Sequence, residues 1–493
     1  MIALETSHPA LYAAFKAKDA RFDGRFFVGV ASTGIYCRPV CKARMPRPEN
    51  CRFFETAAQA EQAGFRPCLL CRPEQAPGAA PADASSDLAR RAALLLEAQC
   101  HSGLSLDALA RQLGCTSRHV RRVFAECYHV SPAAYLQTCR LLLAKSLLTD
   151  TNLPVLQVAM AAGFGSLRRF NALFKSRYRL SPTALRKTAR RGTSGEAGIR
   201  VGLGYRPPYR FEEMLAFLAG RAIPGVEAVR EDAYLRTVRL LGPSGPVYGW
   251  LRVEHNPRRH LLDVTLSPAL LPVLPEALAR VRHLFDLGCE PQIIYEGLQG
   301  MNALCPGLAV PGRRVPGSFD PFEMAVRAVL GQQITVKAAR TLATRLTEAF
   351  GTAVETGIAG LTHVFPSPAD IVALEGPIEG HLGPLGVIGT RARTIRALAE
   401  ALEGGAVDLS LGACPETQMK GLLALPGIGG WTAQYIAMRA LGWPDAFLET
   451  DAGVKKALAP RTAKEMLLMA ESWRPWRSYA VLNLWHAPTT NAT

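Results

Sequence analysis

The chain has 493 residues, 48% hydrophobic and 20% charged, enough to bury several cores and fitting about three or four domains. No stretch reaches the ~18 uninterrupted apolar residues of a membrane span, and Met1 to Lys16 has no basic segment followed by an apolar run, so a membrane partner and a secretory leader are excluded and a cytoplasmic protein is predicted. The 57 Lys+Arg against 41 Asp+Glu give +16, unevenly spread: residues 1–198 carry 28 basic and 14 acidic side chains (+14), leaving 29 and 27 (+2) to the rest.

So basic a segment either keeps a solvated Arg-rich surface or meets a polyanion, and nucleic acid is the commonest polyanion for a protein without lipid-anchor signals. Of the 12 cysteines, five crowd between Cys37 and Cys71, the distribution of a reduced chain with one metal site. Pro73 to Asp87 and Ala189 to Gly198 lack apolar periodicity, are rich in Pro, Ala, Gly and Ser, and read as linkers.

Cys37-x-x-x-Cys41 and Cys68-x-x-Cys71 are two close pairs, and two such pairs complete a tetrahedron around one Zn2+, leaving Cys51 as a spare. On spacing alone, a purely structural zinc staple is the better reading. The runs Phe26-Phe27-Val28-Gly29-Val30, Thr33-Gly34-Ile35-Tyr36-Cys37-Arg38-Pro39 and Ala63-Gly64-Phe65-Arg66-Pro67-Cys68 resemble the Ada-type methyl-phosphotriester domain over residues 5–75. That resemblance implies that Cys37 accepts a methyl group from a DNA phosphotriester while Cys41, Cys68 and Cys71 hold the metal with it. Four thiolates on a dication carry a formal −2, and methylating one leaves −1, a change expected to raise DNA affinity.

Between the linkers, apolar residues recur at helical spacing. Leu106-x-x-Leu109-Ala110 with Gly114 and an Arg-rich helix from Ser117 to Glu126 form one expected helix-turn-helix, and Val155-x-x-Val158-Ala159 with Gly163 and a helix from Ser166 to Ser176 form a second. An ordinary basic helical bundle is the other reading of the pattern. The stretch Ala162-Gly163-Phe164-x-Ser166, with Phe170, Phe174 and Leu180-Ser181-Pro182, resembles the DNA-binding domain of the AraC family. Arg118, Arg121, Arg122, Arg168 and Arg169 are the candidate DNA contacts. No Pro-Cys-His-Arg motif follows, so O6-methylguanine repair is not expected.

Further on, Tyr234 to Leu241, Val247 to Val253 and His260 to Leu266 read as strands, and from Asp320 the pattern returns to helices. Leu425-Pro426-Gly427-Ile428-Gly429-Gly430-Trp431 is a hairpin between two helices, whose backbone N–H groups suit one DNA phosphate. Asp451 follows about one helix later, with Asp445 and Glu449 as rival acids and helix capping as its plain alternative role.

Ile199 to His486, including Arg206-Pro207-Pro208-Tyr209, Gly331-Gln332-Gln333 and Trp473-Arg474-Pro475-Trp476-Arg477, resembles the AlkA-type DNA-3-methyladenine glycosylases of the helix-hairpin-helix superfamily. The resemblance implies Asp451 as the catalytic acid, a base pocket of Trp431, Tyr435, Trp485 and Phe217, and DNA contacts at Gly427, Gly429 and Gly430. It puts Gln333 where a relative has an apolar wedge, and Thr450 where an acid precedes the catalytic Asp. Trp431 stands where glycosylases with lyase activity carry a nucleophilic Lys, implying a monofunctional enzyme. It also implies a monovalent cation on the carbonyls of Leu423, Leu425 and Gly427.

The expected architecture is therefore multidomain α+β: a small zinc-bound α/β domain (1–75), a linker (76–87), an all-α double helix-turn-helix (88–188), a linker (189–198), an α+β AlkA-type N-terminal domain (199–312), an all-α helix-hairpin-helix glycosylase domain (313–487) and a tail (488–493). The expected function is alkylation repair coupled to transcriptional regulation, with double-stranded DNA and RNA polymerase as partners and the nucleoid as location. The rival expectation is a methyl-responsive transcription factor whose glycosylase half is inactive.

Overall fold

The computed structural model describes residues 8–76, 87–188 and 198–487; the inner parts of both expected linkers and the tail 488–493 lie outside the described residues. The chain divides into two compact units. One comprises Met1–Pro207, Arg239–Arg282 and Leu287–Cys289; the other comprises Pro208–Val238, His283–Asp286 and Glu290–Thr493. Among the described residues no helix is long and apolar enough to cross a membrane.

The first unit opens with a four-stranded sheet in the order β3-β1-β2-β4, formed by β1 (Phe27–Val30), β2 (Ile35–Cys37), β3 (Cys51–Phe54) and β4 (Arg66–Pro67). Pairing is antiparallel except between β2 and β4, where Ile35 faces Arg66 and Tyr36 faces Pro67. That one parallel pair brings two cysteine pairs from distant sequence together.

The helical part repeats one device twice. Thr116 caps the helix Ser117–Tyr128 by accepting from the His119 N–H, and Ser166 caps Leu167–Tyr178 by accepting from the Arg169 N–H. Val120 and Phe124 of the first, and Phe170 and Phe174 of the second, point inward at i, i+4 spacing. Each ends at a left-handed residue, His129 (φ 53°) and Arg179 (φ 56°). Gly163 is required at its turn: its φ is +83°, and a Cβ there would lie 2.3 Å from the Cys100 carbonyl oxygen.

Residues 73–75 depart from the linker expected for them. They form a short 3-10 turn, Pro73–Gln75, tied to the helix Pro132–Asp150 by buried charges. Lys145 Nζ donates to Glu74 at 2.6 Å, and the Arg72 guanidinium meets Asp150 at 2.7 and 2.5 Å. Glu61, on the helix Ala57–Gln62, is buried in the same seam and accepts from the hydroxyls of Tyr36, Thr138 and Tyr178. Composition flagged the segment as loose; these pairings, made far away in sequence, fix it.

Of the three expected strands, two appear longer, as β7 (Ala233–Gly242) and β8 (Gly245–Asn256), and the third is one residue shorter, as β9 (Leu261–Leu266). Two further strands, β5 (Ile199–Gly204) and β6 (Glu227–Arg230), form the edges of a five-stranded sheet ordered β5-β9-β8-β7-β6. In the second unit, the helix Pro321–Leu330 is buried on nearly every side and packs with Val336–Phe350, Gly389–Glu403 and Gly430–Arg439 around Leu346, Ile395, Leu398, Leu422 and Ile436.

Candidate functional site

In the first unit, Cys37 ends β2, Cys41 follows through a turn in which its N–H reaches the Arg38 carbonyl, and the Cys68 N–H bonds the Tyr36 carbonyl just after β4. The metal-binding atoms of Cys37, Cys41, Cys68 and Cys71 all lie within 4.8 Å of one another. A tetrahedral Zn2+ with ~2.3 Å bonds separates its sulfurs by about 3.8 Å, so a slight contraction closes this set on the ion. Crowding four thiols pushes the Cys37 thiol well above its ordinary range, first through its contact with Cys41 and then through Cys68 and Cys71. A dication reverses that penalty by stabilising the thiolates. Cys51 stays outside the cluster, with its Sγ directed to the Arg47 carbonyl.

The four sulfurs are not equivalent. Cys71 accepts the backbone N–H of Arg38 at 3.3 Å. Cys37 Sγ lies against the sulfurs of Cys41, Cys68 and Cys71. Arg38 beside it is held by Asp23 at 2.8 Å and by the Cys71 carbonyl at 3.1 Å.

Arg118, Arg121 and Arg122 lie exposed on the helix Ser117–Tyr128, and Arg168 and Arg169 occupy the start of Leu167–Tyr178. All five face solvent, which suits groove contacts and leaves the choice between base and phosphate open.

In the second unit, the hairpin joins the helices Pro415–Leu423 and Gly430–Arg439. Gly427 has φ +80°, and a Cβ on it would fall 2.0 Å from Thr394 Oγ1, so only glycine fits. Gly429 and Gly430 begin the second helix beside open space. Gln332, whose role the sequence did not reveal, bridges the hairpin by donating to the Gly427 carbonyl and Thr432 Oγ1, each at 3.0 Å. Its neighbour Gln333 is exposed and left-handed at φ 55°.

Asp451 caps the helix Ala452–Leu458, and its carboxylate does more than cap. Oδ1 accepts from the N–H groups of Gly453 (2.9 Å) and Val454 (3.1 Å) and from Trp485 Nε1 (2.9 Å). Oδ2 accepts from Trp431 Nε1 at 3.1 Å. Asp445 is committed elsewhere, gripped by Arg477 at 2.7 and 2.9 Å and by Arg474 at 2.5 Å. Glu449 bonds neither indole.

The expected pocket rings are contiguous. Trp431 stacks on Tyr435 with centroids 5.1 Å apart and planes 8° apart; Tyr435 lies 6.4 Å from Trp485, which runs nearly parallel to Phe217 at 6.2 Å. Two guanidiniums that the sequence did not single out belong to this wall. Arg221 sits 3.7 Å over the Phe217 ring, and Arg439 lies 4.9 Å from Phe217 and donates to Tyr435 Oη at 2.8 Å. Burial opposes ionisation of Tyr435, yet Arg439 and Arg221 outweigh it and lower the phenol below its ordinary value. The available signal was spacing: Arg439 follows Tyr435 by four residues on one helix, and Arg221 follows Phe217 by four residues, just past the helix Phe211–Ala219.

Four family models match in tandem: "Metal binding domain of Ada" at residues 10–74, "Helix-turn-helix domain" at 109–188, "AlkA N-terminal domain" at 200–320 and "HhH-GPD superfamily base excision DNA repair protein" at 326–477. The chain is 40% identical over 484 residues to the "Probable bifunctional transcriptional activator/DNA repair enzyme AlkA" of Mycobacterium tuberculosis, covering 96% of this chain and 95% of that protein. The chain belongs to that family. It is also 36% identical to "DNA-3-methyladenine glycosylase 2" of Escherichia coli, over 58% of this chain and 96% of that one. With "Bifunctional transcriptional activator/DNA repair enzyme AdaA" of Bacillus subtilis it shares 30% identity over 35% of this chain and 79% of that one. As a member of this bifunctional AlkA family, the chain combines a metal-binding module, a helix-turn-helix, and the two-part AlkA framework in one polypeptide.

Proposed function

We propose that the chain is a monofunctional DNA glycosylase that flips alkylated purines out of duplex DNA and hydrolyses their N-glycosidic bonds, fused to a zinc-dependent methyl acceptor and a DNA-reading regulator. The observation that carries the first part is the Asp451 carboxylate held by two indoles of a contiguous aromatic wall. A flipped, positively charged purine is attracted to the faces of Trp431, Tyr435, Trp485 and Phe217. As the bond from C1′ to the base nitrogen breaks, the electron pair leaves with the base and the sugar becomes cationic. Asp451 stabilises that cation and directs the water that adds to C1′. Trp431 at the position of a lyase nucleophile supports release of free base and an abasic site without a Schiff base.

The N–H groups around Gly427, Gly429 and Gly430 would hold a phosphate, and Gln333 would enter the gap left by the flipped base. A monovalent cation on the carbonyls of Leu423, Leu425 and Gly427 would firm that hairpin.

In the other unit, Cys37, Cys41, Cys68 and Cys71 would hold Zn2+, which would keep the thiolates ionised at neutral pH. The Cys37 sulfur would attack the methyl carbon of a phosphotriester: the S–C bond forms, the C–O bond breaks, and an ordinary phosphodiester departs with the electron pair. The place of Cys37 in the run Thr33-Gly34-Ile35-Tyr36-Cys37-Arg38-Pro39, which resembles the Ada-type methyl-acceptor domain, supports it as the acceptor. Arg118, Arg121, Arg122, Arg168 and Arg169 would read or grip promoter DNA, with RNA polymerase recruited there, on the nucleoid in the cytoplasm. We assign residues 1–75, 88–188, 199–312 and 313–487 to the four modules, with 76–87 and 189–198 as linkers and 488–493 as a tail.

The test is single-turnover release of 3-methyladenine and 7-methylguanine from methylated duplex by the intact chain and by Asp451→Asn. Release by the first with near-background release by the second is expected. No release by either would leave a methyl-responsive regulator in its place. Transfer of a labelled methyl group from phosphotriester DNA to Cys37, absent in Cys37→Ser, tests the second activity.

A further inference from the structure

Asp451 accounts for the sugar side of the reaction; Arg221 and Arg439 bear on the other side. Arg439 is 4% exposed, and its guanidinium is satisfied by the carbonyls of Pro316 and Gly317 and by Tyr435 Oη. Arg221 donates to the Phe217 carbonyl at 3.4 Å and covers the Phe217 ring. Neither forms an ion pair with a carboxylate among the described residues. The nearby carboxylates are already spoken for: Glu227 and Glu323 are bridged by Arg327, and Glu323 also meets Arg236 at 2.7 Å. The aromatic wall therefore carries two positive charges held by ring faces, carbonyls and the Tyr435 hydroxyl, with no carboxylate paired to either among the described residues. Because Tyr435 Oη accepts from Arg439, its own proton is left to donate to another acceptor.

We propose that Arg221 and Arg439, with the Tyr435 hydroxyl between them and the base, stabilise the negative charge that reaches the departing base, and so set which lesions the pocket can process. The inference rests on the four rings being the base pocket. When the bond to C1′ breaks, the electron pair goes to the base. A base that entered with a positive charge, such as 7-methylguanine, leaves neutral and gains nothing from a cationic wall. An uncharged base such as hypoxanthine leaves as an anion, takes its proton from water afterwards, and is the substrate class that needs the two guanidiniums. The wall thus extends the enzyme from cationic alkylated purines to neutral lesions, while slightly opposing the binding of the cationic ones.

The experiment compares the full-length, zinc-loaded chain with Arg221→Met and Arg221→Lys in single-turnover release of 7-methylguanine and hypoxanthine from otherwise identical duplexes. Arg439→Met serves as a second charge removal and Tyr435→Phe as the hydroxyl control. Charge removal is expected to slow hypoxanthine release at least about tenfold more than 7-methylguanine release, and Arg221→Lys to restore the ratio. Equal losses for both bases would mean that the arginines only shape the pocket, and an unchanged ratio, or a parent chain that releases 7-methylguanine but no hypoxanthine, would overturn the proposal. A parent chain that releases neither base, with Asp451→Asn no different, would instead bring down the glycosylase reading itself.

Discussion

The Trp485 indole N–H donates to Asp451 Oδ1 at 2.9 Å, while its ring lies nearly parallel to Phe217 at 6.2 Å. One side chain thus serves two tasks, holding the carboxylate and walling the pocket. Trp431 repeats the pattern, donating to Oδ2 and stacking on Tyr435. If these rings receive the base, as proposed, neither could shift to admit it without disturbing the acid, and base insertion and carboxylate placement would be linked.

Replacing Trp485 with Phe keeps an aromatic face and removes one donor to the carboxylate. A hydrogen bond to a charged group contributes about 1.5–3 kcal/mol, so the single-turnover rate of 7-methylguanine release should fall by roughly ten- to a hundredfold. Affinity for undamaged duplex should stay within about twofold. A drop in affinity with an unchanged rate would assign Trp485 to binding alone.

Gly427→Ala forces a side chain into a left-handed turn and against Thr394 Oγ1, 2.0 Å from the added carbon. The expected cost exceeds the ~1 kcal/mol of an incompatible Gly→Ala change. It should appear as weaker binding to duplex containing an abasic site, measured by fluorescence anisotropy. Thr394→Ala in the same chain relieves the clash but not the φ strain, so it should recover only part of the loss.

How much of this was legible in the sequence depends on how locally each feature is made. The cysteine pairs and the hairpin glycines are set by short spacing and by turn geometry, and both sit as their spacing implies. Strands β7, β8 and β9 carried enough apolar alternation to be read; β5 was missed because its run Ile199–Gly204 mixes glycines with apolar residues and pairs only at the sheet edge. Arg221 and Arg439 were invisible because an arginine four residues from an aromatic normally reads as a solvated helix face. Their place in the wall depends on Arg439 reaching the Phe217 ring across about 220 residues of chain. Residue type alone does not separate Asp445 from Asp451; the resemblance picks Asp451, and in the structure Arg474 and Arg477 hold Asp445 while the two indoles hold Asp451.

Metal analysis should find one zinc per chain, lost on Cys41→Ser or strong chelation. Without it the Cys71 end of the Arg72–Glu74 segment is untethered, so hydrogen exchange should rise in β2, β4 and the Lys145 turn of Pro132–Asp150, which that segment contacts. Release of 7-methylguanine should remain within about twofold of the metal-loaded rate, because the unit containing Asp451 contributes no ligand to the cluster. A parallel loss of glycosylase activity would show that the metal supports both units.

Glu61 makes the seam between the zinc module and the helix-turn-helix pH-dependent, in the direction opposite to an ordinary surface acid. Burial raises its carboxyl to about 7, and the hydroxyls of Tyr36, Thr138 and Tyr178 and the nearby Arg177 only partly offset that. Tyr36 and Tyr178 are themselves held well above the ordinary phenol range, so they remain donors throughout. The unfolded chain releases this proton near the ordinary 4.5, whereas the folded chain keeps it until about 7. Between those values the folded state binds more protons, so the contribution of Glu61 to stability is greatest in mild acid and declines as pH rises through 7. Glu61→Gln removes the ionisation while keeping the shape. Relative to the parent chain, it should slow hydrogen exchange in β2 and in the helix Pro132–Asp150 at pH 8 and have little effect at pH 5, after correction for intrinsic exchange rates. If the difference is the same at both pH values, Glu61 is not the titrating group, because no other ionisation distinguishes the two chains.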